Sequence, residues 1–229
     1  MSEYSFNYED RWELMRSRHS VRKYTGEPIE PEKREILDEE AADLSMRTGL
    51  EIRTVYDDDK VYKAGRPHYG SFSGCANCIA IFGDSRDHEK AGYYGERMVL
   101  LAQSLGLGTC WTALTFEKSS PNLRPPEGKK LIIVIALGHP ADPGAPHKSK
   151  PAVKVSNVAP DSPQWFIDGV EAALLAPTAI NQQRFRFTLD DSGRVKAEKL
   201  AGPCSSIDLG IVKYHFELGA GKENFEWAE

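Results

Sequence analysis

The spacing of apolar residues along the chain predicts several amphipathic helices. Ile36, Leu37, Ala41 and Leu44 recur at intervals that place them on one helical face, and Pro31 suits the first turn of that helix. The same kind of spacing predicts further helices at residues 11–18, 94–105, 162–176 and 207–218.

Shorter apolar runs between these helices predict strands. Residues 130–137 (K-L-I-I-V-I-A-L) form an unbroken run rich in β-branched residues, typical of a central strand buried on both faces. Residues 78–83 predict a second buried strand, and residues 185–189 alternate polar and apolar like a half-buried one. Residues 57–59 predict a loop or hairpin, and the Pro-, Gly- and Lys-rich residues 138–160 predict a linker.

Two of the predicted helices share a pattern that suggests an internal repeat. In residues 94–108 four apolar positions lead into two glycines, and residues 207–221 repeat this spacing. E-A-A-D-L at residues 40–44 likewise matches E-A-A-L-L at residues 171–175. Unrelated amphipathic helices also produce such matches, but two in the same order favour a degenerate duplication. We therefore expect one globular unit built from two unequal pseudo-repeats, residues 1–150 and 151–229.

Composition narrows the choice of partners and compartment. Of the 229 residues 40% are hydrophobic and 28% charged, which allows a sizeable core and a normal polar surface. A net charge of −5 and a pI near 5.8 argue against nucleic acid or an anionic membrane as a partner. Because the N-terminus lacks a signal-peptide pattern and no apolar run approaches membrane-spanning length, we expect a cytoplasmic protein.

The four cysteines are too few for a disulfide framework and fit a reducing compartment. Cys75 and Cys78 form C-A-N-C, a spacing also found in zinc sites and redox pairs. A zinc site would need a second pair or nearby histidines, which Cys110 and Cys204 do not supply. Because C-I-A-I-F continues from Cys78 into a predicted strand, we expect small buried thiols and no metal.

A basic cluster, R-S-R-H-S-V-R-K-Y at residues 16–24, is the first candidate binding motif. Arginine presents a fork of hydrogen-bond donors suited to phosphate. In an extended segment Arg18, Ser20 and Arg22 share one face, while His19 points the other way. On composition alone, a solvated basic turn is the simpler interpretation.

From Arg18 onward, R-H-S-V-R-K-Y-T-G-E-P-I resembles the N-terminal signature R-R/H-S-x-R/K-x-Y/F of the nitroreductase-type FMN enzymes. The resemblance covers nearly all of the chain and is to the subgroup with tandem halves in one chain. It implies an α+β, nitroreductase-like fold with a mixed central sheet flanked by helices. In that family the basic residues and the serine contact the phosphate and the pyrimidine edge of FMN. The resemblance implies these contacts from Arg18, His19, Ser20 and Arg22.

A second segment matches the same family in order. L-G-L-G-T-C-W-T-A-L-T-F at residues 105–116 resembles the family's G-L-G-T-C-W segment, which passes over the flavin ring. At positions 113 and 114 the family often has small or acidic residues. The resemblance implies cofactor contacts from Trp111, Thr112, Ala113 and Leu114.

A third segment, H-K-S-K-P at residues 147–151, follows a strand and a G-H-P element. It resembles a late phosphate clamp of the family and implies FMN contacts from Lys148 and Lys150. Solubility is the alternative explanation for two lysines in a loop.

A fourth family motif is displaced along the chain. The family's A-P-S-x-x-N-x-Q-P-W is absent after the first long helix, where this chain has A-A-D-L-S-M-R-T-G, yet L-A-P-T-A-I-N-Q-Q-R-F occurs at residues 175–185. In the family this loop reaches the FMN site of a partner subunit, so one chain carrying both motifs would complete a site by itself. The implied contacts are Pro177, Thr178, Ala179 and Asn181, with Gln183 supporting the loop.

The resemblance implies an FMN-dependent oxidoreductase that passes hydride from NADH or NADPH to a small flat acceptor, such as a nitroaromatic, quinone or enone, by a ping-pong scheme. FMN carries the chemistry, so no catalytic side chain is expected. The chain would act as a monomeric pseudo-dimer or pair further as a homodimer. The alternatives are a flavin-binding sensor, carrier or regulator without turnover, and a structural relative that binds no flavin.

The histidines offer no competing catalytic arrangement. We expect His68 and His139 in loops or at the surface. His215 lies beside an apolar helical stripe and is expected to be a satisfied core or interface histidine.

Overall fold

The computed structural model describes residues 8–62 and 71–228. Helices in these ranges are α1 (Tyr8–Ser17), α2 (Pro31–Thr48), α3 (His88–Ser104), α4 (Ala152–Val155), α5 (Gln164–Leu175) and α6 (Ser205–Ala220). Strands are β1 (Glu51–Val55), β2 (Asn77–Gly83), β3 (Gly108–Thr112), β4 (Lys130–Gly138), β5 (Phe185–Leu189), β6 (Arg194–Lys199) and β7 (Glu226–Trp227). In the described ranges, no helix is long and apolar enough to cross a membrane.

The sequence marks both ends of helix α2. Pro31 occupies its first turn, where a missing backbone N–H costs no helical hydrogen bond. Gly49 ends it in the left-handed region (φ 75°), and its N–H donates to the carbonyl of Ser45 at 3.1 Å. Leu37 and Leu44 are fully buried. The predicted apolar face is therefore the face that packs against the protein.

The first sheet has four antiparallel strands in the order β1-β2-β4-β3. Every residue of β2 is buried, and β4 is buried from Ile133 onward. The two strands pair centrally, with Ile81 opposite Ile133 and Ile79 opposite Ile135. The strands predicted at residues 78–83 and 130–137 are confirmed.

The second sheet is smaller and mixed. β5 and β6 form an antiparallel hairpin, and β6 pairs with β7 in parallel. The turn between β5 and β6 is closed by Asp190, whose carboxylate accepts from the N–H groups of Ser192 and Arg194 at 2.9 Å. Because this hairpin pairs locally, the described strands form two sheets where the sequence suggested one central sheet, although the α+β class holds.

Contacts divide the chain into two compact units. The described residues of the first unit are 18–62, 71–91 and 98–145, and those of the second are 8–17, 92–97 and 146–228. Helix α1 belongs to the second unit because it packs against α5 and α6. The units therefore do not follow the order of the chain, and the division into halves at residue 150 stays a prediction.

The core of the first unit lies between the sheet and the segments that cover it. Its buried members are Val21, Tyr24, Val55, Val61, Tyr62, Cys75, Cys78, Ala80, Phe82, Cys110, Leu123, Val134 and Ala136. Burial raises the pKa of the Cys75 thiol to about 12, and it also raises the pKa of Cys78. The C-A-N-C thiols are thus buried, protonated core groups, as expected from the strand that follows them.

The core of the second unit is built on the packing of α5 against α6. A side chain at Gly169 would begin 2.7 Å from the ring of Phe216, and one at Gly219 would begin 2.5 Å from the Cβ of Ala172. The two glycines therefore allow the helices to approach closely. Phe187 stacks on Phe216 with ring centroids 4.6 Å apart.

His215 is a buried, hydrogen-bonded residue of this second core. Its Nε2 lies 2.8 Å from Oε1 of Glu96, and its Nδ1 lies 3.2 Å from the carbonyl of Ala172. Both the His215 and the Glu96 side chains are fully buried. The expectation of a satisfied core histidine is confirmed.

The two helices that suggested the internal repeat end differently. Helix α3 ends at Ser104, and Gly106 follows it with φ 74°. Helix α6 continues through Gly219 and reaches its positive φ only at Gly221. The matched glycines therefore occupy different positions, and the duplication stays a prediction.

Candidate functional site

Residues 18–24, here called the basic segment, run in extended form beside strand β3. Ser20 forms a parallel bridge with Thr109, and the N–H of Val21 donates to the Thr109 carbonyl at 2.9 Å. A side chain at Gly108 would lie only 2.7 Å from a methyl group of Val21. A glycine at this position therefore lets the basic segment approach the edge of the sheet.

The turn that follows β4 holds the basic segment from another side. The N–H of Thr25 donates to the carbonyl of His139 at 3.0 Å, and the N–H of Ala141 donates to the carbonyl of Lys23 at 2.9 Å. Gly144, at φ 77°, is close enough that an added Cβ would lie 2.9 Å from the Ser20 carbonyl. Backbone pairing on two sides thus fixes the course of the segment.

The side chains of the basic segment differ in exposure. Arg18 is only 3% exposed, Ser20 and His19 are half-buried, and Arg22 is exposed. Burial raises the pKa of the Cys110 thiol, while the Arg22 charge, a hydrogen bond with Ser20 and the Arg18 charge lower it. Arg18, Ser20 and Arg22 therefore all act on the Cys110 thiol.

Strand β3 leads from this cluster to an exposed bend. Trp111 is half-buried, and the Thr112 hydroxyl donates to the Val134 carbonyl at 2.8 Å within the sheet. Ala113 is exposed, and Leu114 keeps 56% of its surface accessible. The first unit therefore contains eight of the predicted cofactor residues on two adjoining segments.

Residues 177–183, here called the Asn181 loop, belong to the second unit. A short 3-10 turn spans Ala179–Asn181, and three non-glycine residues of the loop have left-handed backbone angles. These are Ile180 (φ 49°), Asn181 (φ 54°) and Gln183 (φ 46°). For a β-branched residue such as Ile180 this conformation is a genuine outlier that costs free energy. The surrounding contacts must therefore hold the loop in place.

Gln183 is the central support of this loop. Its side chain is buried, donates to the Lys148 carbonyl at 2.9 Å and to Oδ1 of Asn181 at 2.7 Å, and accepts from the N–H of Lys150 at 2.8 Å. The N–H of Gln183 donates to the Thr178 hydroxyl at 3.0 Å. The supporting role expected of Gln183 is confirmed.

The two predicted phosphate-clamp lysines lie next to the same loop. The Lys150 ammonium donates to the carbonyls of Gln182 and Gln183 at 2.7 and 3.0 Å. The Lys148 side chain is exposed, while its carbonyl accepts a hydrogen bond from the Asn181 amide at 2.9 Å. Lys150 therefore holds the loop in place, and the Lys148 side chain stays at the surface.

The sequence did not single out Asp208 and Gln182, which complete the support. Asp208 is 3% exposed, accepts from the N–H of Ala179 at 2.9 Å, and accepts from Nε2 of Gln182 at 2.7 Å. Burial raises the pKa of Asp208 to about 6, although its hydrogen bonds with Gln182 and Ala179 lower it. An acidic residue between Ile207 and Leu209 on an apolar helix was the available signal.

The structure thus groups the predicted residues by unit. Arg18 to Arg22 and Trp111 to Leu114 adjoin in the first unit, and Lys148, Lys150 and residues 177–181 adjoin in the second. His139 is half-buried and pairs with Glu30 at 3.1 Å, while His68 lies outside the described residues. Among the described residues, no group of three or more His, Cys, Asp or Glu side chains is arranged to hold a metal ion.

Comparison with known structures defines the class of fold. The chain resembles the crystal structure of a putative nitroreductase from Thermotoga maritima MSB8, with a TM-score of 0.68 and 20% identity over 98% of this chain and 90% of that one. It also resembles a putative nitroreductase from Desulfovibrio desulfuricans, solved in complex with FMN. That match has a TM-score of 0.51 and 22% identity, and it covers 67% of this chain and 96% of that one. The fold is nitroreductase-like.

The sequence identifies the family. The family model described as "Putative TM nitroreductase" matches residues 10–220, so the chain belongs to that family. No curated protein is significantly similar to the chain. The expected resemblance and fold are therefore confirmed.

Proposed function

We propose that this chain is an FMN-dependent oxidoreductase that transfers hydride from NADH or NADPH to a small, flat electron acceptor. Nitroaromatics, quinones and enones are the acceptor classes, and the two half-reactions follow a ping-pong scheme. The support is membership of the nitroreductase family, together with the FMN complex of the similar Desulfovibrio protein.

The observation that carries the proposal is the basic segment beside strand β3. Backbone bonds to Thr109 and to the turn after β4 hold the segment, so its side chains are not needed to fix its course. The exposed Arg22 guanidinium and the half-buried Ser20 hydroxyl and His19 imidazole provide several donors within a short stretch. This donor set fits the anionic phosphate of FMN.

The second unit adds donors of a different kind. Lys148 offers an exposed ammonium next to the Asn181 loop, and Asn181 itself is exposed. We propose that Lys148, Lys150, Pro177, Thr178, Ala179 and Asn181 also contact FMN. Because Lys150 already bonds two carbonyls, its main contribution is to hold the loop and to add positive charge.

In this proposal the protein binds and orients the cofactor and the substrates, and FMN, when bound, supplies the hydride chemistry. Arg18 and Arg22 would neutralise the phosphate, and His19 and Ser20 would donate hydrogen bonds that help to fix the position of the cofactor. The Thr112 hydroxyl bonds within the sheet, so residues 111–114 would contact the ring through backbone groups and through the exposed Ala113 and Leu114. No side chain is required as an acid or base.

The direct test is anaerobic stopped-flow spectroscopy of the protein reconstituted with FMN. Mixing with NADH or NADPH is expected to bleach the visible flavin band, and a quinone or nitroaromatic is expected to restore it. A protein that keeps FMN but shows no bleaching over minutes with either nucleotide would be a flavin-binding protein without turnover. A colourless protein that ignores added FMN would refute both functions.

A further inference from the structure

Asp208 is a buried carboxyl group attached to the backbone of the Asn181 loop. It lies in the first turn of α6, and its two oxygens accept from the N–H of Ala179 and the Gln182 amide. These two partners flank Ile180 and Asn181 in the chain. The carboxyl group thus holds the loop on both sides of its most strained residues.

This attachment matters because the loop would not keep its shape unaided. Left-handed angles at three non-glycine residues cost on the order of 1–2 kcal/mol each, so they persist only where contacts over-determine them. Gln183 and Lys150 hold one side of the loop, and Asp208 holds the other. Ionised carboxylates form stronger hydrogen bonds with N–H donors than neutral acids do.

Cys204 is the titratable side chain whose charge state Asp208 affects, while the charged side chains of Arg184 and Lys199 are bonded elsewhere. Cys204, at the start of α6, has its thiol pKa raised by burial and by the Asp208 charge, so it stays neutral near pH 7. The Arg184 guanidinium donates to the Ala201 carbonyl, and the Lys199 ammonium donates to the Ser206 hydroxyl at 2.6 Å. The two Asp208 carboxyl oxygens accept hydrogen bonds from uncharged donors, the Ala179 N–H and the Gln182 amide.

We propose that Asp208 is a positioning residue whose ionised form holds the Asn181 loop in the conformation that binds FMN, so that protonation of Asp208 weakens FMN binding. This inference rests on the proposed function, since it assumes that the loop contacts FMN. It assigns a pH-dependent affinity to a residue that does not itself touch the cofactor.

The expected size of the pH effect on FMN affinity follows from the titration of Asp208. Its pKa is raised to about 6 by burial, so Asp208 is mostly ionised at pH 7 and mostly protonated at pH 5. If the protonated form binds FMN about tenfold more weakly than the ionised form, the apparent dissociation constant rises as the ionised fraction falls. The resulting loss of affinity between pH 7 and pH 5 is up to about tenfold.

The experiment compares FMN binding by the wild-type protein and by Asp208→Asn from pH 5 to pH 8. An asparagine at this position cannot accept from Gln182 and Ala179 at once without turning a donor toward one of them. The FMN phosphate also titrates near pH 6, but it does so equally in both titrations and cancels in their ratio. We expect Asp208→Asn to bind about tenfold more weakly at pH 7 and about equally at pH 5.

Asp191→Asn, an exposed residue of the β5–β6 turn, is the matched control and should leave the affinity unchanged. A ratio that stays constant from pH 5 to pH 8 would overturn the inference while leaving the proposed function intact. Absence of FMN binding by the wild-type protein at every pH would overturn both.

A second ligand keeps the inference testable if Asp208→Asn fails to fold. Riboflavin lacks the phosphate, so its affinity for the wild-type protein reports the loop without that titration. We expect riboflavin binding to weaken up to about tenfold from pH 7 to pH 5. A flat profile for riboflavin would contradict the proposed role of Asp208.

Discussion

The basic segment and the Asn181 loop carry the two sets of predicted FMN contacts, and the protein holds them in opposite ways. Backbone hydrogen bonds to Thr109, His139 and Ala141 fix the basic segment. The Asn181 loop is fixed mainly by side chains: Lys150 and Asp208 bond its backbone groups, and Gln183 bonds the backbone of Lys148 and Lys150. Its backbone is strained at three residues.

This difference determines what a mutation can do in each region. In the basic segment a side chain can be removed without loss of the contacts that shape the backbone. Such a substitution should therefore lower FMN affinity without changing the free energy of unfolding. In the Asn181 loop the same side chains shape the backbone, so affinity and stability should change together.

The largest expected effect is that of Gln183→Ala. The change removes three side-chain bonds and leaves the N–H of Lys150 and the Lys148 carbonyl without this partner. We expect the free energy of unfolding to fall by about 2–3 kcal/mol in urea titrations, with weaker FMN binding. Gln164→Ala, an exposed residue of α5, is the control and should change stability by less than about 0.5 kcal/mol. Equal stability of the two variants would show that the loop does not depend on Gln183.

Arg22→Ala should show the opposite behaviour in the basic segment. The guanidinium is exposed, so its removal should leave the free energy of unfolding unchanged. A charge-assisted bond to phosphate is worth about 1.5–3 kcal/mol, so FMN affinity should fall roughly ten- to a hundredfold. Lys23→Ala removes a neighbouring exposed charge that pairs with Asp142 and should retain the wild-type affinity. Similar losses of FMN affinity in both variants would show that the positive charge of this surface matters, and not a specific contact from Arg22.

The Asp208 carboxyl group should link stability to pH in the cofactor-free protein. Its folded pKa of about 6 lies above its unfolded value, so its ionisation disfavours folding. The stability it contributes is present in acid and is lost as pH rises through 6. Relative to Asp208→Asn, the wild type should gain about 1 kcal/mol in free energy of unfolding between pH 7 and pH 5. If the difference in free energy of unfolding between the wild type and Asp208→Asn is the same at pH 5 and pH 7, the raised pKa of Asp208 is contradicted.

The smallest expected effect is that of Ile180→Gly. Glycine adopts a φ of 49° without the steric cost that isoleucine meets, and the isoleucine side chain is 66% exposed, so little packing is lost. Because glycine also loses more chain entropy on folding, the net gain in stability should be at most about 1 kcal/mol. Ile180→Ala keeps the strain and is the matched control. A clear loss of thermal stability in Ile180→Gly alone would show that the loop is not strained there.

The apolar patterns of the sequence predicted the long elements well. The helix that begins at Pro31 and the strands at residues 78–83 and 130–137 are present because strong periodicity and burial act together. Short strands gave weaker signals: β1 is only five residues long and partly exposed, and β7 has two residues held by a parallel partner. Such elements depend on a partner strand that the local sequence does not specify.

The candidate site was predictable only where a motif marks it. The signature starting at Arg18 and the N-x-Q of residues 181–183 could be read directly, but Asp208 lies more than twenty positions from the loop that it supports. The sequence also suggested two phosphate-binding lysines of equal kind, whereas the structure commits the Lys150 ammonium to two carbonyls. Tertiary hydrogen bonds decide these roles.

The central proposal is that Asn181, in the second unit, contacts FMN. The most direct test is the dissociation constant of FMN for Asn181→Ala, measured by flavin fluorescence beside the wild type and Gln164→Ala. We predict about tenfold weaker binding for Asn181→Ala, from the loss of one polar contact to the cofactor, and wild-type binding for Gln164→Ala. Unchanged affinity in Asn181→Ala would contradict the claim that the second unit contributes to FMN binding.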